Sequence, residues 1–171
     1  MSRLDAQELD LDLGPVALGD VVTKVVAGYK ALAWEQRRLV LEADLPSSLP
    51  PVRADVQRVE QALVNLVANG LRFTSEGGIV TVEAEALDSE VEIRVRDTGI
   101  GIAPEDLPHI FERSYRGDRS RARPETGETL SSGSGLGLAI VKGLVEAMGG
   151  TVRAESALGE GTCVGFRLPV V

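Results

Sequence analysis

Asp55-Val56-Gln57-Arg58-Val59-Glu60-Gln61-Ala62-Leu63-Val64-Asn65-Leu66-Val67-Ala68-Asn69-Gly70-Leu71-Arg72-Phe73-Thr74 carries two stripes at once. Val59, Ala62, Leu63, Leu66, Val67 and Gly70 recur at i, i+3, i+4 and i+7, the spacing of a helix with one buried face. Asp55 stands where an N-cap belongs. At about 100° per residue, Arg58, Gln61, Asn65, Asn69 and Arg72 form a polar stripe beside the apolar one. Asn65 and Asn69 thus stack one turn apart at the edge of a core. An amide oxygen placed there suits a Mg²⁺ shell completed by phosphate oxygens and water. Arg72 is a donor fork for phosphate. A solvated polar face explains the same stripe equally well.

Upstream, Val21, Val22, Val25, Val26, Tyr29, Leu32 and Ala33 predict another helix, starting near Leu18. Leu39, Leu41 and Ala43 alternate, predicting a strand over Arg38–Leu45, and Pro46–Pro51 then breaks the chain. Downstream, Ile79–Ala86 and Glu90–Arg96 alternate apolar with charged residues and are joined by Asp88-Ser89, predicting a hairpin with one wet face. A third helix runs from about Gly135 to Met148 and stops at Gly149-Gly150. Two last strands, Thr151–Ser156 and Thr162–Leu168, flank Leu158-Gly159-Glu160-Gly161. Three main helices and five strands predict an α+β fold. Its form is a two-layer α/β sandwich, a mixed five-stranded sheet with the helices on one face. Residues 1–14 read as a flexible acidic lead, and 15–171 as one domain.

Composition narrows the function. The chain has 171 residues and a net charge of −8, which argues against a nucleic-acid groove. One cysteine, Cys163, excludes an internal disulfide, and with a single histidine, His109, there is no zinc set of the usual kind. The acidic start has no apolar core, so it is no signal peptide, and no apolar run is long enough to insert in a bilayer. The expected setting is cytoplasmic.

Two further motifs carry chemistry. Asp97-Thr98-Gly99-Ile100-Gly101-Ile102 ends a strand with a carboxylate able to accept from an exocyclic amine, and its glycines let backbone approach a planar base. An ordinary Asp turn reads the same way. Ser132-Gly133-Ser134-Gly135-Leu136-Gly137-Leu138 opens the third helix, whose free N–H groups and dipole favour an anion. No Gly-Lys-Ser/Thr follows, so it is not a P-loop, and with no glycine at 138 it fails the dinucleotide fingerprint. Between them lies a polar stretch with Arg113, Arg116, Arg119, Arg121 and Arg123, a lid over about 103–134 or a solvated loop.

In this order the pieces resemble the catalytic ATP-binding domain of two-component sensor histidine kinases, within the wider Bergerat-fold (GHKL) family of Hsp90, gyrase and MutL-type ATPases. Arg58–Asn69 with Arg72-Phe73-Thr74 is similar to the family's N box and Asp97–Ile102 to its first glycine box. Phe111-Glu112-Arg113-Ser114-Tyr115-Arg116 resembles the F box, Gly133–Leu138 the second glycine box and Gly159-Glu160-Gly161-Thr162 the terminal one. The resemblance implies ATP and Mg²⁺ as cofactors. It gives Asn69 the metal and Asn65 a supporting role at the phosphates. Phe73 would pack on adenine, Asp97 would accept from its amino group, and Gly99, Gly101, Ile102 and Thr162 would complete the base pocket. Arg72 and Arg116 would neutralise phosphates, and the backbone of Gly133, Gly135, Leu136, Gly137 and Leu138 would hold them.

Three positions depart from the pattern. Gly70 replaces a usual Ala and would leave room near the nucleotide, Arg72 replaces a frequent Lys, and Ser114 replaces a common aromatic. The hydrolytic relatives place a glutamate base where this chain has Asn65. The resemblance therefore implies phosphoryl transfer to a histidine, not hydrolysis. His109, in Pro108-His109-Ile110-Phe111, lacks the helical context of an acceptor. The acceptor would come from a histidine-bearing helical hairpin, in cis in a longer kinase or as a separate protein, with a response regulator engaged indirectly. The alternatives are a non-catalytic ATP-binding regulatory module and an anti-sigma-factor-type serine kinase.

Overall fold

The computed structural model describes residues 10–113, 115 and 136–171. The elements in chain order are β1 (Gly14–Val16), α1 (Leu18–Arg37), β2 (Val40–Asp44), β3 (Val52–Ala54), α2 (Val56–Phe73), β4 (Ile79–Ala86), β5 (Glu90–Asp97), a 3₁₀ turn (Leu107–His109), α3 (Gly137–Ala147), β6 (Thr151–Ala157) and β7 (Gly161–Pro169). The main sheet runs β2-β4-β5-β7-β6, with β2 parallel to β4 and the other pairs antiparallel. Among the described residues this is the mixed five-stranded sheet with three main helices expected from the sequence.

Register explains the two layers. Val82, Val95 and Val164 align across β4, β5 and β7, as do Ile93 and Phe166, and all are buried under the helices. The intervening residues face the other way and most are charged. There Glu92 is only 2% exposed and accepts from Arg94 Nη1 (3.1 Å), Arg153 Nη1 (3.3 Å) and Arg167 Nε (3.1 Å), while Glu83 accepts from Arg94 and Arg96. A face laced with ion pairs cannot bury a second layer of helices without desolvating them. The fold stops at two layers.

On α2 every expected apolar position is buried, and Leu71 joins them. Gly70 packs flat on the sheet, where an added Cβ would lie 3.2 Å from Val80 Cγ1 and 3.6 Å from Val95 Cγ1. The room made by this glycine is therefore filled by the sheet, which corrects the expectation that it opens space for a nucleotide. After α3, Gly149 adopts φ +80° and Gly150 N–H donates to Val145 O, ending the helix where the paired glycines predict.

Two other expectations are corrected. Arg38 does not begin a strand. It caps α1 in the left-handed conformation (φ 53°), and β2 starts at Val40. The N-terminal segment is not simply frayed up to residue 14. Leu11 and Leu13 pack partly buried against the core, and Gly14–Val16 pairs with Val52–Ala54 in a second, two-stranded sheet. Both strands are three residues long, and Pro15 interrupts one of them, too short a run for alternation to register.

Asp55 ties this segment to α2. Its Oδ1 accepts from the N–H groups of Gln57 (2.9 Å) and Arg58 (3.2 Å), and its Oδ2 accepts from Asp12 N–H (3.1 Å). Burial pushes the carboxyl up, but these three donors and the Arg58 charge outweigh it and hold the pKa below the usual value. The sign follows: this contribution is complete above the ordinary carboxylate range and is lost as pH falls through the lowered value. Asp55→Ala should cost about 1–2 kcal/mol in urea unfolding. Asp55→Asn should cost less, because its one amide oxygen still caps α2 but cannot also accept from Asp12.

Candidate functional site

The site lies where the C-terminal end of β5, the start of β7, the end of α2 and the start of α3 converge. Asp97 is the last residue of β5 and is paired in register with Thr162. It faces the helix layer and is 9% exposed. Its Oδ1 accepts from Gly99 N–H (2.9 Å) and Thr162 N–H (3.2 Å), so one oxygen is saturated by backbone. Oδ2 has no protein partner among the described residues. Burial pushes the Asp97 carboxyl above the usual range, and the two N–H donors only partly oppose this.

The loop after Asp97 is stitched into its surroundings. Ile100 N–H donates to Phe73 O (3.2 Å), and Ile102 N–H donates to Ser156 Oγ (2.7 Å). Gly99 sits so close to α2 that an added Cβ would lie 2.4 Å from Phe73 O. At Gly101 (φ +72°) it would lie 2.0 Å from Ala157 O, and at Gly161 (φ +102°) 2.0 Å from Asp97 O. Protein backbone alone therefore demands glycine at these three positions.

Across the site, Asn65 Nδ2 donates back to Gln61 O (3.0 Å). Its Oδ1 lies 3.4 Å from where a Gly137 Cβ would stand, so the amide oxygen faces the first turn of α3. That helix has no side-chain cap at Leu136. Asn69, one turn beyond Asn65, is half-buried, and its amide has no protein partner among the described residues. The Arg72 guanidinium lies over the Phe73 ring at 5.2 Å. Leu136 is exposed, whereas Leu138 packs partly against the core.

The structure therefore brings Asp97, Gly99, Gly101, Ile102 and Thr162 into one cluster, Arg72 with Phe73, and Asn65 with Gly137. Arg116, Gly133 and Gly135, together with Ser114 and Arg119, Arg121 and Arg123 of the arginine cluster, lie outside the described residues. At the entry to that stretch His109 Nδ1 is 2.7 Å from Glu112, and the Tyr115 hydroxyl bonds Asp106. Sequence reasoning missed Ser156. Its signal is a polar residue at an inward position of β6, following Val152 and Ala154 at period two.

This geometry defines an ATPase fold of a known kind. The chain belongs to the family of histidine kinase-, DNA gyrase B- and HSP90-like ATPases, whose model matches residues 54–171. Within it, the likeness is to the catalytic ATP-binding domain of sensor histidine kinases. The sensor-like histidine kinase SenX3 of Mycobacterium tuberculosis is 35% identical over the whole chain, which covers 40% of that protein. The histidine protein kinase DivJ of Caulobacter vibrioides is 38% identical, again over the whole chain and 27% of its own length. The chain thus spans well under half of these curated relatives. Among solved structures, full-length ShkA in complex with AMPPNP superposes with a TM-score of 0.79 at 32% identity, covering 95% of this chain and 32% of that one. The mycobacterial sensor histidine kinase MprB gives 0.73 at 27% identity, covering 92% and 97%. Among the described residues no helix is long and apolar enough to cross a membrane.

The raised Asp97 carboxyl makes a stability prediction. Between the ordinary carboxylate value and its own, the folded protein holds a proton that the unfolded chain has released, so stability falls as pH rises through that window. Asn at 97 cannot ionise, yet its oxygen can still accept from Gly99 and Thr162. Asp97→Asn should therefore unfold at an equal or higher urea midpoint at pH 7. The advantage should vanish below about pH 4.

Proposed function

We propose that this chain binds Mg²⁺-ATP in the cleft between α2, the β5 loop and α3, and passes the γ-phosphoryl group to a histidine on a separate helical hairpin. The observation that carries this reading is the division of labour on Asp97. Backbone saturates one carboxylate oxygen and leaves the other to accept from the exocyclic amine of adenine. In this reading Phe73 and Ile102 flank that position, and Thr162 completes it.

The polyphosphate then runs toward Asn65, Asn69, Arg72 and the uncapped start of α3, where N–H groups of the second glycine box meet negative charge. The donor set fits a hard cation. Asn69 offers an amide oxygen without a protein partner among the described residues, and phosphate oxygens and water would supply the rest, as Mg²⁺ prefers. Among the described residues no cluster of three His, Cys, Asp or Glu could replace that arrangement. When bound, the ion neutralises phosphate charge.

The chain's own residues position the transfer. The acceptor imidazole nitrogen forms a bond to the γ-phosphorus as the bridging β–γ oxygen leaves with ADP, and catalysis is positioning plus electrostatics. Asn65 stands where a general base would be needed for hydrolysis and has no basic atom. Its amide N–H is tied to Gln61 O, so this position supplies no base to activate a water. His109 is engaged with Glu112 in a turn and is not the acceptor. Arg116 and the glycines at 133 and 135 are assigned to phosphate binding from their motif positions. The histidine hairpin, in cis or as a separate protein, and a response regulator downstream are the partners this reading requires, in a cytoplasmic setting.

Calorimetric titration with ATP should show binding that strengthens with Mg²⁺. Asn69→Ala should abolish the Mg²⁺-dependent part, and Asp97→Asn should weaken affinity about 10- to 100-fold, the worth of a bond to a charged acceptor. With radiolabelled ATP and a panel of isolated histidine-bearing hairpins, the expected product is an acid-labile label on a hairpin. Binding with no transfer would indicate a regulatory ATP-binding module, and an acid-stable label a serine kinase.

A further inference from the structure

Ser156 makes three hydrogen bonds with one hydroxyl, and the count of protons fixes their directions. Its Oγ lies 2.8 Å from Gly161 O, a carbonyl that can only accept, so the serine proton is committed there. Ile102 N–H, which can only donate, points at the same oxygen from 2.7 Å. The remaining contact, 2.8 Å to Thr162 Oγ1, must then use the threonine's proton. A hydroxyl has one proton and two lone pairs, and at Ser156 all three are used. Thr162 is left with lone pairs only. It can accept from an occupant of the site but cannot donate to it.

We propose that Ser156 is a positioning residue that sets purine specificity by locking the Thr162 hydroxyl as an acceptor. This deepens the nucleotide-site reading and rests on it. Asp97 is paired in register with Thr162, and its Oδ2 is left to accept as well, because Asp97 Oδ1 is held by Gly99 and Thr162 N–H. Two acceptors at one end of the cleft match the two hydrogens of a 6-amino group. They repel a 6-oxo group, whose oxygen would meet lone pairs on both sides. Rejection of this kind, an unpaired polar group held in a fixed site, discriminates more strongly than a change in size. Without the serine, Thr162 regains a proton that it can turn toward a 6-oxo group. The same serine holds Ile102 and Gly161, so one hydroxyl aligns the first and last glycine boxes while choosing the polarity of the threonine between them.

The experiment compares ADP with inosine diphosphate, its 6-oxo counterpart, by calorimetric titration of the wild type, Ser156→Ala, Ser156→Thr and Thr162→Val, with a thermal midpoint for each without nucleotide. The wild type should prefer ADP. Ser156→Ala should lower the ADP-to-inosine ratio by about tenfold, chiefly by improving inosine diphosphate binding, and Ser156→Thr should restore it. Thr162→Val should weaken ADP and improve inosine diphosphate, since it removes one of the two repelling acceptors, and this arm tests the locked hydroxyl if Ser156→Ala fails to fold. A fall in both affinities with the ratio intact would mean a merely structural serine and would overturn the proposal. Equal wild-type binding of the two nucleotides would overturn it too, leaving the nucleotide site standing. A wild type that binds neither would take down the site itself.

Discussion

Helix α2 must lie almost in contact with the sheet, because Gly70 leaves no side chain between its backbone and Val80 and Val95. That closeness fixes the rest. Buried Val59, Leu63, Leu66, Val67 and Leu71 hold the helix in one rotational setting. Its polar stripe then emerges at the border of the core instead of over open solvent. Asn65 is thereby carried to the start of α3, and Phe73 O to the loop after β5, where it accepts from Ile100. A rotation of α2 by one residue would bury the asparagines and expose the leucines.

The sheet divides its labour by face. The helix side holds the core and, at one end, the site. The opposite side is a lattice of ion pairs in which Glu92, though almost inaccessible, is matched by three arginines. Such a pattern contributes modestly to stability, since its arginines are partly solvated. Its larger effect is topological, because it leaves one face on which helices can pack. Cys163 lies on this charged side, one residue from Thr162, and burial holds its thiol above the ordinary value, away from the thiolate that would make it reactive.

Long periodic elements were legible in the sequence. The buried face of α2, the hairpin of β4 and β5, and the glycine stop of α3 all stand where periodicity and punctuation put them. What was not legible depends on contacts distant along the chain. β1 and β3 are too short to show alternation, and they exist because each completes the other. Gly70 reads as a helix weakness until Val80 is seen beneath it. Asp97, Thr162 and the asparagine stripe were legible as candidates from motif order, since each sits at an element end or a helix-face border. Ser156 was not, because its meaning comes from Ile102 and Gly161, which lie 54 and 5 residues away.

The tight backbone approaches at Gly99, Gly101 and Gly161 change how variation at such positions should be interpreted. Each glycine is irreplaceable for reasons internal to the chain. An alanine there pries the loop after β5 from α2 or from the end of β6, or β7 from β5, whether or not a nucleotide is ever present. Invariance across relatives, or a dead variant at any of the three, would accordingly report on assembly of the cleft and carry no information about what it holds. Side chains with no hydrogen-bond partner among the described residues, such as the Asn69 amide, are where ligand identity would leave its imprint on a family tree.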